Sequence, residues 1–135
     1  MQDNLRVIIA DDEKSSRDLI ETYVNKYCSG LTIVGRAEDA KQAISQINEL
    51  KPDLVFLDVE MPEMTGLEFL NTLDSPPMII IVSGQEKYAL EAYEYDVVDY
   101  LLKPLLLARF YKSVNKALGR FQEKESISKL PEEIF

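Results

Sequence analysis

Five times along this chain a short apolar run, rich in β-branched residues, is followed by a stretch whose apolar residues recur at helical spacing. That alternation leaves few folds open, because strands that alternate with helices pack as a parallel sheet with helical crossovers. The runs at residues 5–10, 54–57 and 78–82 are apolar throughout, the pattern of strands covered on both faces. Residues 31–37 alternate and read as a strand nearer an edge, and residues 97–102 supply a fifth strand. The spacing predicts helices over residues 13–28, 40–50, 66–73, 86–94 and 106 to about 121. In the first of these Leu19, Ile20, Tyr23, Val24 and Tyr27 share the predicted apolar face, and Gly30 follows as a stop. In the second, Ala40, Ala43, Ile44, Ile47 and Leu50 do so, with Asp39 placed to cap the start and Pro52 closing the end.

The predicted fold class is therefore α/β: a (βα)5 doubly wound parallel sheet, strand order 2-1-3-4-5, the flavodoxin-like arrangement. In such sheets ligands bind beyond the carboxyl ends of the strands. A chain of 135 residues is one domain in size. Residues 1–121 are expected to form it, and the polar stretch 122–135 is expected to begin a linker to a further C-terminal domain.

Composition removes several functions. The chain has no histidine, which excludes Ser/His/Asp catalysis, imidazole zinc sites and phosphohistidine carriers. One cysteine, Cys28, rules out an intrachain disulfide and a thiolate cluster, and its place on an apolar helix face predicts a buried, inert thiol. A formal net charge of -9 argues against direct nucleic-acid binding by these residues and for a cation or a basic partner. The first residues carry no basic, apolar leader pattern and no apolar run approaches a membrane span, so a cytoplasmic location is expected.

Chemistry gathers at the strand ends. Asp11 and Asp12 follow the first strand, Asp58 the third, Ser83 the fourth, and Lys103 with Pro104 the fifth. An acidic pair can be a helix cap, a serine a turn residue, and Lys-Pro an ordinary dipeptide. Their joint placement on one rim is what points to a site. Crowded carboxylates call for a hard divalent cation, and magnesium suits carboxylate and carbonyl oxygens while leaving room for a phosphate oxygen. Lys103 could hold a second phosphate oxygen and Ser83 a third, and an aspartate can act as a phosphoryl acceptor.

The runs Ile8-Ile9-Ala10-Asp11-Asp12-Glu13, Leu54-Val55-Phe56-Leu57-Asp58-Val59-Glu60-Met61-Pro62-Glu63-Met64-Thr65-Gly66, Ile81-Val82-Ser83-Gly84 and Asp99-Tyr100-Leu101-Leu102-Lys103-Pro104 resemble those of the CheY-like receiver domain of two-component response regulators. The resemblance covers residues 5 to about 121. It implies a phosphorylation switch rather than a turnover enzyme, with Asp58 as phosphoacceptor and Mg2+ as cofactor. Asp12 would be a direct metal ligand, Asp11 its water-mediated neighbour, and the backbone carbonyl of Glu60 a further ligand. Lys103 would bind the phosphoryl group through a site with a cis bond to Pro104, and Ser83 and Tyr100 would stand at the switch positions. The implied partners are a histidine kinase or phosphotransfer protein, the chain's own C-terminal output domain, and a second copy through the face of the fourth helix, fifth strand and fifth helix.

Residues 92–104 also resemble receivers of the LytR/AlgR type, which implies a LytTR DNA-binding output and transcription regulation. Tyr88, Tyr93 and Tyr95 lie on or beside that face, either as interface residues or as ordinary packing. Glu60 and Gln85 flank the site at positions able to tune phosphoryl lifetime. Three alternatives remain. A haloacid dehalogenase-type phosphatase would need Asp-x-Asp after the first strand. A flavodoxin-like cofactor binder would need a Ser/Thr/Gly-rich loop there, where this chain has Asp11-Asp12-Glu13. A receiver-like interaction module would dispense with phosphate altogether.

Overall fold

A computed structural model describes residues 4–63 and 66–128. Met64 and Thr65 of the motif after Asp58, and residues 129–135 of the expected linker, lie outside the described residues. The elements are β1 (Leu5–Ala10), α1 (Lys14–Tyr27), β2 (Leu31–Ala37), α2 (Ala40–Leu50), β3 (Leu54–Leu57), α3 (Gly66–Leu70), β4 (Met78–Ser83), α4 (Ala89–Tyr93), β5 (Asp99–Leu102) and α5 (Leu107–Ser128). The sheet has the order β2-β1-β3-β4-β5 with every pair parallel, the predicted flavodoxin-like arrangement.

The apolar strands divide their side chains between two cores, as period-two geometry requires. Ile8, Val55, Leu57, Ile79 and Ile81 face α2, α3 and α4, packing with Ala43, Ile47, Leu67 and Ala92. Val7, Ile9, Phe56, Ile80 and Leu101 face α1 and α5, packing with Ile20, Val24, Val114 and Ala117. On that second face the Phe56 and Phe110 rings stack with centroids 5.1 Å apart. Because β1, β3 and β4 are buried on both faces, their ends are fixed, and so is whatever follows them.

Local signals account for several boundaries. Asp39 caps α2 by accepting from the Gln42 N–H at 2.8 Å. Lys51 ends the helix in the left-handed conformation (φ 48°), directly ahead of Pro52, and Arg6 on β1 donates to the freed carbonyls of Leu50 and Lys51.

Other expectations need correction. Gly30 is not a left-handed stop: α1 ends at Tyr27 with Cys28 as its C-cap, and no described glycine has a positive φ. Leu19 and Tyr27 face outward despite their helical register. The third helix stops at Leu70, and the fourth breaks into a 3-10 turn (Glu86–Tyr88) followed by a short α4. β5 starts at Asp99, because the Val98 N–H bonds back to the Ile79 carbonyl before the ladder begins. α5 does not end near Phe121 but continues through Ser128. Gln, Glu and Lys are good helix formers, so a polar stretch can prolong a helix after its packed face has run out. Cys28 is buried, and desolvation raises its thiol pKa, the expected inert state.

Candidate functional site

The parallel register brings four loops to one rim. Ala10 pairs with Leu57 and Leu57 with Ile81, so Asp11, Asp58 and Ser83 leave neighbouring strands at nearly one level. Ser83 pairs with Leu102, which puts Lys103 beside them. The Lys103 N–H donates to the Ser83 carbonyl at 2.8 Å, and the Lys103–Pro104 peptide is cis, as the resemblance implied.

Asp11, Asp12 and Asp58 each offer a carboxylate oxygen, all within 4.8 Å of one another. Asp11 and Asp58 are buried, and Asp12 faces solvent. Lys103 Nζ lies 2.6 Å from Glu13 Oε1, 3.1 Å from Asp11 Oδ2 and 3.5 Å from Asp58 Oδ2. Asp11 is oriented by the Glu13 N–H (2.9 Å) and the Ser16 hydroxyl (2.7 Å), while Arg17 donates to its backbone carbonyl at 2.7 Å. Asp58 Oδ1 accepts the Glu60 N–H at 2.8 Å.

The electrostatics follow from that crowding. Burial first, then the negative charge of Asp11, push the Asp58 carboxyl up to about 7, against the Glu60 N–H and the Lys103 ammonium, which pull it down. Burial works against the Lys103 charge, yet the Glu13 hydrogen bond and the charges of Asp11 and Asp58 outweigh it and hold the ammonium above its ordinary value. A rim of hard oxygen donors whose central carboxyl resists ionisation fits a divalent cation of the magnesium type.

Ser83 is fully buried. Its hydroxyl lies 3.2 Å from Glu60 Oε1 and 3.3 Å from the Gln85 carbonyl, and it accepts the Gln85 N–H at 3.0 Å. The Tyr100 ring is buried and its hydroxyl donates to the same Gln85 carbonyl. Tyr88 and Tyr95 are partly buried against the α2–α4 core, whereas Tyr93 is exposed, so the three tyrosines divide between packing and surface.

All predicted rim residues thus converge: Asp11, Asp12, Asp58 and Lys103 in one cluster, with Ser83 and Tyr100 joined through Gln85 and Glu60 meeting Ser83 directly. Sequence reasoning missed Glu13 as the nearest partner of Lys103, and Ser16 and Arg17 as the groups that fix Asp11. The sequence, read with this helix opening at Glu13, carried no signal for the Lys103 contact: in the structure α1 starts at Lys14, Glu13 is its N-cap without a side-chain capping bond, and its carboxylate reaches Lys103 instead. It also missed a buried network on β5, where Asp99 accepts from Arg109 at 2.6 and 2.8 Å and from Ser113 at 2.9 Å. A concavity of about 740 Å3 lies at the opposite rim between Lys51, Pro76, Asp96 and Phe121, away from this chemistry.

Comparison with known proteins identifies the family. Residues 7–115 match the family model of the response regulator receiver domain. The chain is 37% identical over 124 residues to an uncharacterized response regulatory protein of Vibrio cholerae, covering 90% of this chain and 52% of that protein. It is 35% identical over 130 residues to the transcriptional regulatory protein BtsR of Escherichia coli, covering 95% of this chain and 54% of BtsR. The chain therefore spans about half the length of these relatives. Among solved structures, the receiver domain of AraT, a response regulator from Geobacillus stearothermophilus, superposes with TM-score 0.81 at 30% identity, covering 90% of this chain and 98% of that one. The signal receiver domain of a LuxO repressor protein from Vibrio parahaemolyticus gives TM-score 0.81 at 28% identity over 94% of this chain and 99% of that one.

Proposed function

The chain belongs to the response regulator receiver family, and from that premise we propose that it is a phosphorylation-controlled switch that takes a phosphoryl group on Asp58. The observation that carries this reading is the convergence of Lys103 on Asp58 and Asp11 beside a third carboxylate, Asp12.

In this reading an Asp58 carboxylate oxygen attacks phosphorus, and the bond from phosphorus to the donor nitrogen of a histidine kinase or phosphotransfer protein breaks. Lys103 supplies positive charge to one phosphoryl oxygen, and the Ser83 hydroxyl donates to another. Asp12, Asp58 and the backbone carbonyl of Glu60 would hold Mg2+ directly, with Asp11 acting through water. When bound, the cation neutralises the crowded carboxylates and the charge on the transferred group. Asp11 is held in place by Ser16 and the Glu13 N–H, so it needs little rearrangement for that role.

The readout is proposed to run from Ser83 through the Gln85 backbone to Tyr100, and so to the α4-β5-α5 face. That face exposes Leu90, Tyr93, Leu102 and Tyr111, large apolar side chains of the kind a partner or a second copy would cover. BtsR is named a transcriptional regulatory protein, and this chain spans about half of it. A C-terminal output domain, of LytTR type by the resemblance of residues 92–104, is proposed to carry DNA binding, which the net charge of -9 makes unfavourable for the receiver itself. Among the described residues no helix is long and apolar enough to cross a membrane, in keeping with the proposed cytoplasmic place for the switch.

The test is incubation with magnesium and acetyl phosphate, read by intact-mass spectrometry. The wild-type chain should gain one phosphoryl group and Asp58→Asn none. A wild-type chain that stays unmodified, or a variant that gains the group equally, would overturn the assignment. Sustained turnover of a small phosphoester would favour the phosphatase alternative instead.

A further inference from the structure

Lys103 and Ser83, the two groups that would close on a phosphoryl oxygen, differ in one elementary respect. An ammonium has three N–H donors, whereas a hydroxyl has one proton. Lys103 can keep Glu13 and Asp11 and still offer a third N–H toward Asp58. Ser83 has no such reserve. Its oxygen already accepts the Gln85 N–H, and its proton lies within reach of Glu60 Oε1 at 3.2 Å and of the Gln85 carbonyl at 3.3 Å.

Of those two acceptors the carboxylate has the stronger claim. A charge-assisted hydrogen bond outweighs a neutral one, and the Gln85 carbonyl is already served by the Tyr100 hydroxyl. We propose that the Glu60 side chain is an internal competitor of the phosphoryl group: its carboxylate holds the single proton of Ser83, which must leave Glu60 before Ser83 can donate to a phosphoryl oxygen on Asp58. Glu60 is thus a positioning residue that sets how tightly the switch closes. The inference rests on the phosphoryl-acceptor reading of Asp58 and adds to it an antagonist built into the chain.

The arrangement is physically balanced. Glu60 is exposed, so once released its carboxylate is solvated by water and leaves no buried orphan. Ser83 is buried, so its proton must always find an acceptor inside the site. Exchanging Glu60 for a phosphoryl oxygen swaps one charge-assisted bond for another, and the net preference is the difference between them. Removing the Glu60 carboxylate removes one side of that contest and favours the phosphorylated arrangement. A residue that merely supported the loop would act in the opposite direction when truncated.

The experiment measures the affinity of beryllofluoride, a tetrahedral phosphoryl analogue, at saturating magnesium by tyrosine fluorescence titration. Glu60→Ala should tighten binding about fivefold, the size expected for losing a modest competing hydrogen bond. The same substitution in a Ser83→Ala background should change affinity by less than about twofold, since the contested proton is then gone. A repeat in about 1 M salt, where screening acts within about 3 Å, separates the hydrogen bond from bulk repulsion by an exposed charge. The tightening should survive it. Weaker or unchanged binding in Glu60→Ala, an equal gain with and without Ser83, or loss of the gain in salt would each overturn the proposal. If wild-type protein shows no response to beryllofluoride and magnesium, the phosphoryl-acceptor reading fails instead, so the two failures are distinguishable.

Discussion

Glu13 holds Lys103: its carboxylate lies 2.6 Å from Nζ, nearer than either buried aspartate of the rim. The ammonium is therefore parked at the start of α1 and only leans toward Asp58, 3.5 Å away. Substituting Glu13→Gln removes a negative charge from the rim and frees Lys103 to move to Asp58. Both effects favour the Asp58 carboxylate. Its carboxyl, now at about 7, should fall by about one unit. A carboxyl carbon NMR titration of the metal-free protein reads this directly, and an upward shift would show that Lys103 had moved away.

The raised Asp58 carboxyl has a consequence for stability. Its value in the folded metal-free protein, about 7, lies above that of an unfolded aspartate, so the folded state binds the proton more tightly. Between those two values stability falls as pH rises. Asp58→Asn should therefore stabilise the metal-free protein above neutral pH, by at most about 4 kcal/mol, the equivalent of moving a carboxyl from its ordinary value to about 7. Below about pH 4 the gain should vanish. Chelator-treated thermal melts across pH would show it, and a variant no more stable at high pH than at low would contradict it.

Magnesium and protons should compete for the same oxygens. With Asp58 protonated in the acid range, divalent-cation affinity is expected to climb steeply with pH up to about 7 and to level off above it. Isothermal titration with Mg2+ below and above that value tests this, and a pH-independent affinity would mean that Asp58 is not a ligand.

Asp99 follows the opposite sign. Burial raises its carboxyl, but the hydrogen bonds from Arg109, the Tyr100 N–H and Ser113 outweigh it and hold the group well below the usual carboxylate range. The network contributes stability that is fully present above the unfolded value of about 4 and lost as pH falls below it. Arg109→Ala leaves Asp99, 1% exposed, without its main partner. It should destabilise the protein by about 2–4 kcal/mol at neutral pH, and the difference should shrink in acid. Urea unfolding at the two pH values measures both.

The stacked pair Phe56 and Phe110 fastens α5 to the centre of the sheet. Phe110→Ala should cost about 3–5 kcal/mol through the cavity it leaves. A loss below about 1 kcal/mol in urea unfolding would mean that α5 closes the gap by shifting.

How much of this was legible beforehand differs by element. β2, α2 and β3 were read to the residue, because Asp39 and Pro52 punctuate a region whose apolar pattern changes sharply from period two to period 3.6. α4 was not, because the segment after Gln85 starts as a 3-10 turn before settling into a single helical run of five residues, and composition does not distinguish the two. The end of α5 was missed since a polar sequence says where packing stops, not where backbone hydrogen bonding stops.

The pattern of apolar runs was sufficient by itself to determine a five-stranded parallel sheet and to place Asp11, Asp12, Asp58, Ser83 and Lys103 at strand ends, because strand burial and side-chain period are local properties of the chain. Which of those groups touch was decided only by the folded register. Lys103 meets Glu13, 90 residues away in sequence, and Ser83 meets Glu60, 23 residues away. Such pairings depend on the height of one loop relative to the next, and that height is set by interstrand hydrogen bonds and helix packing that no local pattern encodes.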